Sequence, residues 1–323
     1  MEFGFSIPPR GSMATPENIT TLAQQGEAMG FAIIAVTDHI IFPKSIASSY
    51  PGSSTGQYYA AGDGQGEYLE ALALLSFLAG ITSSIKLLTA VLVIPNRPPI
   101  LTAKTLATID VLSKGRVIVG CGVGWMREEY EVLGSPPFEK RGAVANEFIR
   151  AFRELWTNET PTFEGTYSRF ANIVFAPKPV QKPHPPIWTG GESPAALRRA
   201  GQLADGWYPF TDNAHVPLQT PEQYAEVATK VKRHAQEAGR DPASITFTYS
   251  ANWYNDQEAE HLPDGSRRPL TGSPAQIADD IKRYQDVGIQ HMMLSMVVRR
   301  PGVTVQQSLE RMDRFTTKVM PLV

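Results

Sequence analysis

Asp38 and His39 stand side by side directly after an apolar run, Phe31 to Thr37 (FAIIAVT), that reads as a buried strand. An imidazole at a strand end can give or take a proton near neutral pH, and a carboxylate beside it can fix its tautomer through a hydrogen bond. A capping aspartate and a structural histidine are the plain alternative. The other histidines, His184, His215, His234, His261 and His291, are scattered without H-x-x-x-H or H-E-x-x-H spacing, and Cys121 is the single cysteine. Metal catalysis and disulfides are therefore not expected.

Gly120-Cys121-Gly122-Val123-Gly124 leaves a second apolar run, Arg116 to Cys121. It is no dinucleotide fingerprint, because the glycine required at the next position is Trp125. Alternate glycines without Cβ atoms let a flat ring approach the backbone, or else serve a packed turn. Thr189-Gly190-Gly191-Glu192-Ser193-Pro194 leaves another strand and opens a helix. Backbone N–H groups and a hydroxyl at such a helix start can cradle a phosphate, while a simple Ser N-cap is the competing reading. Asp205-Gly206-Trp207-Tyr208 follows and brings aromatic residues beside that turn. Gly52-Ser53-Ser54-Thr55-Gly56 matches G-x-S-x-G formally, but it lies in a polar loop with no strand before it, so nucleophilic chemistry at Ser54 is not expected.

The elements that must position these residues alternate along the chain. Strands are expected at Glu2 to Ile7, Phe31 to Thr37, Ile85 to Ile94, Arg116 to Cys121, Pro186 to Thr189, Gly206 to Phe210, Ile245 to Ala251 and Ile289 to Met296. Helical spacing falls between them, as at Phe148, Phe152, Leu155 and Trp156, or at Tyr224, Val227, Ala228 and Val231. Eight strands each followed by a helix give an α/β fold, the (β/α)8 TIM barrel, in a single domain over residues 1–323. A doubly wound sheet is the runner-up. Three connections exceed plain turns: Ile40 to Glu67, Thr157 to Pro185 with an apparent hairpin at Thr162 to Tyr167, and Asn252 to Gly272. The first and third follow strand ends, where a barrel puts its active site, and are expected to wall it. The Gly- and Tyr-rich first loop is expected to be a mobile lid ordered by ligand.

Composition narrows the partners. With 30 basic and 32 acidic residues interspersed, a net charge of -2 and 42% hydrophobic residues, no positive field is available for nucleic acid or an anionic bilayer. A small-molecule substrate is expected. The start, Met1 to Phe5, lacks a basic region followed by an apolar run, and the chain is read as cytoplasmic.

Thr37-Asp38-His39, Val91 to Pro95 with Arg97-Pro98-Pro99, Lys114-Gly115-Arg116 leading into Gly120 to Trp125, Gly190 to Pro194, and Ala204 to Trp207 together resemble the luciferase-like monooxygenase superfamily. The match runs in order to about residue 296, and its most specific part is Leu106 to Leu133, ending Trp125-Met126-Arg127-Glu128-Glu129-Tyr130. The branch it resembles best is the coenzyme F420-dependent oxidoreductases. The resemblance implies a TIM barrel that binds F420, or alternatively reduced FMN, with the ring in the barrel mouth and the phosphate near strands five and six. It also implies a non-prolyl cis peptide at Ala90-Val91. His39 would then be the acid/base group, oriented by Asp38. Ala90, Val91, Gly122, Val123, Gly124 and Trp125 would line the ring, Gly190, Gly191, Glu192 and Ser193 would hold the phosphate, and Trp207 would stand beside it. A homodimer is expected, with a separate flavin or F420 reductase as a further partner. One departure matters: F420-dependent sugar-phosphate dehydrogenases carry an acidic residue where this chain has Trp125, so their substrate does not carry over. The alternatives are a two-component FMNH2-dependent monooxygenase, a hydrolase or aldolase for which no strand-end lysine or nucleophile is evident, and a flavin-binding barrel without turnover.

Overall fold

Along β1 (Glu2–Ser6), Phe3 and Phe5 point one way into the main hydrophobic layer and Gly4 the other, where a Cβ would lie 2.4 Å from the Met293 sulfur. That two-residue alternation recurs in the other strands and separates an inside from an outside. β2 (Ile33–Val36), β3 (Lys86–Thr89), β4 (Leu92–Val93), β5 (Val117–Gly122), β8 (Ile187–Gly190), β9 (Gly206–Tyr208), β10 (Thr246–Ala251) and β11 (His291–Leu294) join β1 in a parallel sheet. Its order is β3-β2-β1-β11-β10-β9-β8-β5-β4, and pairing of β3 with β5 closes it. With β3 and β4 as two halves of one broken strand, this is a closed eight-stranded TIM barrel. The computed structural model describes residues 1–51, 56, 58, 67–213, 216–297 and 302–323.

Ile33, Ala35, Leu88, Ile118, Trp188, Tyr208 and Met293 fill the barrel interior. Their outward neighbours, such as Ile34, Val36, Leu87, Val117, Val119, Cys121 and Trp207, meet the surrounding helices. Those helices are α1 (Pro16–Ala28), α2 (Ala71–Ile81), α3 (Pro99–Leu112), α4 (Arg127–Leu133), α5 (Arg141–Thr157), α6 (Pro194–Leu203), α7 (Pro221–Glu237), α8 (Pro274–Asp286) and α9 (Val305–Lys318). Thr15, Ser193, Thr220, Ser273 and Thr304 cap five of them by accepting a backbone N–H of the first turn. Cys121 is buried in the outer layer, where burial pushes its thiol up to about 12.

Most helices bury one stripe, but α2 and α3 also carry large apolar side chains on their outer face. Phe77, Ile100, Leu101, Val111 and Leu112 remain exposed there. Among the described residues, no helix is long and apolar enough to cross a membrane.

Carboxylates tie the connections down. Glu27 of α1 accepts the N–H groups of Ser83, Ser84 and Ile85 ahead of β3. Glu147 of α5 accepts those of Thr166, Tyr167 and Ser168, and so holds the two-stranded hairpin of β6 (Phe163–Glu164) and β7 (Arg169–Phe170), which overlaps the one expected at Thr162 to Tyr167 and runs on to Phe170. Asp280 of α8 takes a bidentate Arg267 and the Leu270 N–H, anchoring the loop after β10.

Two local expectations change. The strand expected at Ile85 to Ile94 is broken between β3 and β4, and the Ala90-Val91 peptide at the break is cis, as the resemblance implied. Helix α4 was not expected at all, and it carries part of the site.

Candidate active site

Strand β2 ends at Val36 and delivers Asp38 and His39 to the C-terminal mouth of the barrel, both buried. They do not serve each other. Asp38 Oδ2 accepts the Val93 N–H at 2.8 Å and Oδ1 accepts Arg97 Nη2 at 2.6 Å. Arg97 Nη1 reaches Glu70 Oε1 at 2.6 Å, while Glu70 caps α2 through the Ala73 N–H. Burial pushes the Asp38 carboxyl up, opposed by the Arg97 guanidinium and the Val93 N–H. Asp38 thus fastens the chain just past the cis peptide to the end of β2. The expectation that it orients His39 gives way, because both of its oxygens are committed elsewhere.

The carboxylate on His39 is Glu129 of α4. His39 Nδ1 lies 3.1 Å from Glu129 Oε2, and Glu129 Oε1 accepts the N–H of Ile40 at 2.8 Å and of Ile41 at 3.4 Å. An ionised carboxylate only accepts, so a neutral His39 must carry its proton on Nδ1 and leave Nε2 as a bare acceptor. Among the described residues, Nε2 makes no hydrogen bond. Aromatic rings surround the imidazole: Phe42 at 4.6 Å, Tyr58 at 5.6 Å, Tyr68 at 5.7 Å and Trp125 at 6.2 Å between centroids. Tyr68 in turn hydrogen-bonds Thr37. Tyr50 extends this wall to Trp125 at 5.0 Å and Phe210 at 6.2 Å. His39 and Trp125 therefore do meet at one mouth.

The three alternate glycines of β5 and its exit serve the broken strand. A Cβ on Gly120 would lie 1.9 Å from the Thr89 carbonyl oxygen, and one on Gly122 2.4 Å from Val91 Cγ2. Gly124, at φ +70°, would meet Val93 and Tyr130. Val91 also fits against Gly190. Ala90 and Val91, both partly exposed, pack against the interior cluster and give the mouth an apolar floor. Val123 is half-buried against the outer core, and its carbonyl accepts the Tyr130 hydroxyl.

At the other predicted patch, Gly191 has φ +99° and precedes α6, which exposed Ser193 caps by accepting the Ala196 N–H at 3.3 Å. Two residues of the patch play parts other than expected. Glu192 turns inward, where its oxygens accept the Phe210 N–H and Asn213 Nδ2 at 2.5 and 2.8 Å. Burial pushes this carboxyl up, against those two donors. Trp207 lies fully buried in the outer layer against Tyr224, and its Nε1 donates to the Gly191 carbonyl at 3.1 Å. Glu192 and Trp207 thus shape the turn from behind and leave Gly190, Gly191 and Ser193 as its open face.

Sequence reasoning missed Glu70 as a member of this constellation, and it quoted Arg97, Glu128 and Glu129 only as parts of motifs. Ser54 and the rest of the loop between 52 and 66, apart from Gly56 and Tyr58, lie outside the described residues.

Comparison with known proteins bears on the fold and the family. An FMNH(2)-dependent dimethylsulfone monooxygenase of Pseudomonas putida is 28% identical over 307 residues, covering 82% of this chain and 81% of its own length. A monooxygenase from Streptomyces bottropensis superposes with a TM-score of 0.76 at 21% identity over 99% of both chains. An F420-dependent secondary alcohol dehydrogenase gives 0.75 at 20% identity, over 100% of this chain and 98% of its own. Residues 1–268 match the family model described as luciferase-like monooxygenase. The chain belongs to the luciferase-like monooxygenase family.

Proposed function

We propose that the chain is an F420-dependent oxidoreductase that moves a hydride to or from a small organic substrate, with His39 as its acid/base group. The observation that carries this reading is the state of His39: buried, with Nδ1 committed to Glu129 and Nε2 left to meet a substrate oxygen. A bound deazaflavin or reduced flavin supplies the hydride or oxygen chemistry. The chain's residues fit such a group at both ends. Gly191 at positive φ and the capped start of α6 suit an anion, and the inward turn of Glu192 keeps its carboxylate off the open face. Ala90 and Val91 offer a flat apolar floor, and Trp125 with Tyr50 and Tyr58 excludes water from the side of His39.

The similarity to a dimethylsulfone monooxygenase favours a second reading, in which reduced FMN arrives from a separate reductase and reacts with oxygen. Titration of the purified protein with F420 and FMN, each oxidised and reduced, decides between them. Tighter binding of F420 supports the first reading, and selective binding of reduced FMN replaces it with the second.

The working unit in this proposal is a homodimer joined through α2 and α3. Their outer face carries Phe77, Ile100, Leu101, Val111 and Leu112, and its one charged side chain, Lys104, donates to the Ala176 carbonyl. A largely apolar face, with its ammonium drawn to that carbonyl, can meet its own copy, as a two-fold interface requires. Sedimentation should show a dimer that Leu101→Glu converts to monomer, and a monomeric wild type would remove this part of the proposal.

A further inference from the structure

Three consecutive residues of α4 grip the start of the loop that follows His39. The Arg127 N–H donates to Ser48 Oγ at 3.0 Å, Glu128 Oε1 accepts the N–H groups of Ala47 and Ser48 at 2.7 and 3.0 Å, and Glu129 takes His39, Ile40 and Ile41. Glu129 is 3% exposed, so its charge is worth burying only where donors meet it, and its two oxygens have three between them. One oxygen is given to the imidazole and the other to the backbone just beyond it.

We infer that Glu129 is the positioning residue for His39: one carboxylate selects the imidazole tautomer with a bare Nε2 and locks that ring to the seated first turn of the loop. No shorter route to the same result exists among the described residues. Asp38, the nearest carboxylate in sequence, is consumed by Val93 and Arg97, and Glu128 reaches only the loop. The carboxylate comes from the first turn of α4, four residues after Trp125. It approaches Nδ1, where it orients the ring and leaves the reacting nitrogen uncovered.

The inference rests on the reading of His39 as the acid/base group, but its main test needs neither cofactor nor substrate. In 15N-histidine-labelled protein, at a pH where the ring is neutral, His39 should show the signature of a fixed Nδ1–H tautomer. Glu129→Ala should replace it with the averaged signature of a ring free to exchange, and the Ile40 and Ile41 amides should lose protection from hydrogen exchange. Glu128→Ala should deprotect Ala47 and Ser48 while the His39 signature stays. Glu129→Gln keeps the size of the side chain but offers one acceptor and one donor where two acceptors served, so either the Ile40–Ile41 amides lose a partner or Nδ1 becomes an acceptor and the proton moves to Nε2. This variant tests the idea even if Glu129→Ala does not fold. An unchanged His39 signature in Glu129→Ala, or an unchanged signature at both places in Glu129→Gln, overturns the inference. So does an equal change from Glu128→Ala, because the effect would then run through the loop. With a working substrate, Glu129→Gln should lower kcat by about tenfold to a hundredfold with KM changed less, a magnitude taken from the loss of partners that orient metal-binding histidines. If His39→Ala retains full turnover while the tautomer still depends on Glu129, it is the catalytic reading of His39 that fails, and the positioning geometry stands.

Discussion

Val91 occupies the place of the side chain that Gly122 lacks: a Cβ there would come within 2.4 Å of Val91 Cγ2. The glycine belongs to a six-residue strand with every position buried, and the valine to the cis peptide that splits the neighbouring strand. The break and the glycines are thus two halves of one fit, and the close approach that the glycines permit is that of the chain's own backbone.

Gly120 is the less forgiving of the two positions, because its Cβ would lie 1.9 Å from a backbone oxygen that no side-chain rotation can move. Gly120→Ala should destabilise the barrel by about 1–3 kcal/mol, the range for overpacking. Gly122→Ala should cost less, since Val91 can turn. Thermal melts of the two variants check the order, and equal melting temperatures would contradict the assignment of Gly120 as a backbone contact.

His39→Ala should reduce turnover by about 10²–10⁴, the usual contribution of a positioned proton-transfer group. Cofactor affinity should stay within a few fold, because the expected ring and phosphate contacts lie on other strands. Turnover near the wild-type value would make His39 structural.

Gly191 has φ +99°, a conformation that L side chains rarely adopt, and its carbonyl is held by Trp207. Gly191→Asp adds a negative charge at the expected phosphate turn and should abolish cofactor binding, measured by fluorescence titration. Gly191→Ala separates strain from charge: it should lower the melting temperature while retaining part of the affinity. Full affinity in the Asp variant would move the phosphate elsewhere.

At the opposite end of the barrel, Glu27 supplies a pH dependence. Burial alone would raise its carboxyl, but N–H groups of Ser84, Ile85 and Ser83 and the Ser84 hydroxyl outweigh it and bring the value down from 4.5 to about 2. The unfolded chain therefore takes up this proton at higher pH than the folded one. The stabilisation is complete above about pH 5 and is lost as the pH falls from there toward 2. Glu27→Gln should melt below the wild type at pH 7, and the gap should shrink through pH 4 to 3. Because the group is only half-buried and screened by solvent, the effect should be a few degrees at most. A gap independent of pH would mean that the charge contributes nothing.

Strand positions and the barrel itself were legible because each apolar run is short, bounded and followed by a helix, a pattern that local sequence carries. His39 and Trp125 were legible as mouth residues because both follow strand ends. The partner of His39 was not, since Glu129 lies 90 residues further along and nothing near His39 points to it. Adjacency made Asp38 the obvious partner, and only the fold shows Arg97 taking it. Helix α4 has seven residues, too few for a period to emerge. The roles of Glu192 and Trp207 turned on which way a side chain faces at a strand end, where alternation stops being a guide. Seating also bears on the expected lid: the N–H groups of Ile40, Ile41, Ala47 and Ser48 are fastened by carboxylates of α4, and the stretch 52–66, apart from Gly56 and Tyr58, falls outside the described residues.

The lone thiol has a practical meaning. Cys121 lies between the barrel wall and the helices, 2% exposed, with its ionisation pushed up to about 12. Only the thiolate attacks a labelling reagent, so in the native state this sulfur is both hidden and chemically idle. A maleimide or a disulfide reagent can reach it only when β5 parts from its helices. The rate of modification therefore counts openings of the barrel wall itself, giving the protein a clock for its own unfolding that needs no added probe.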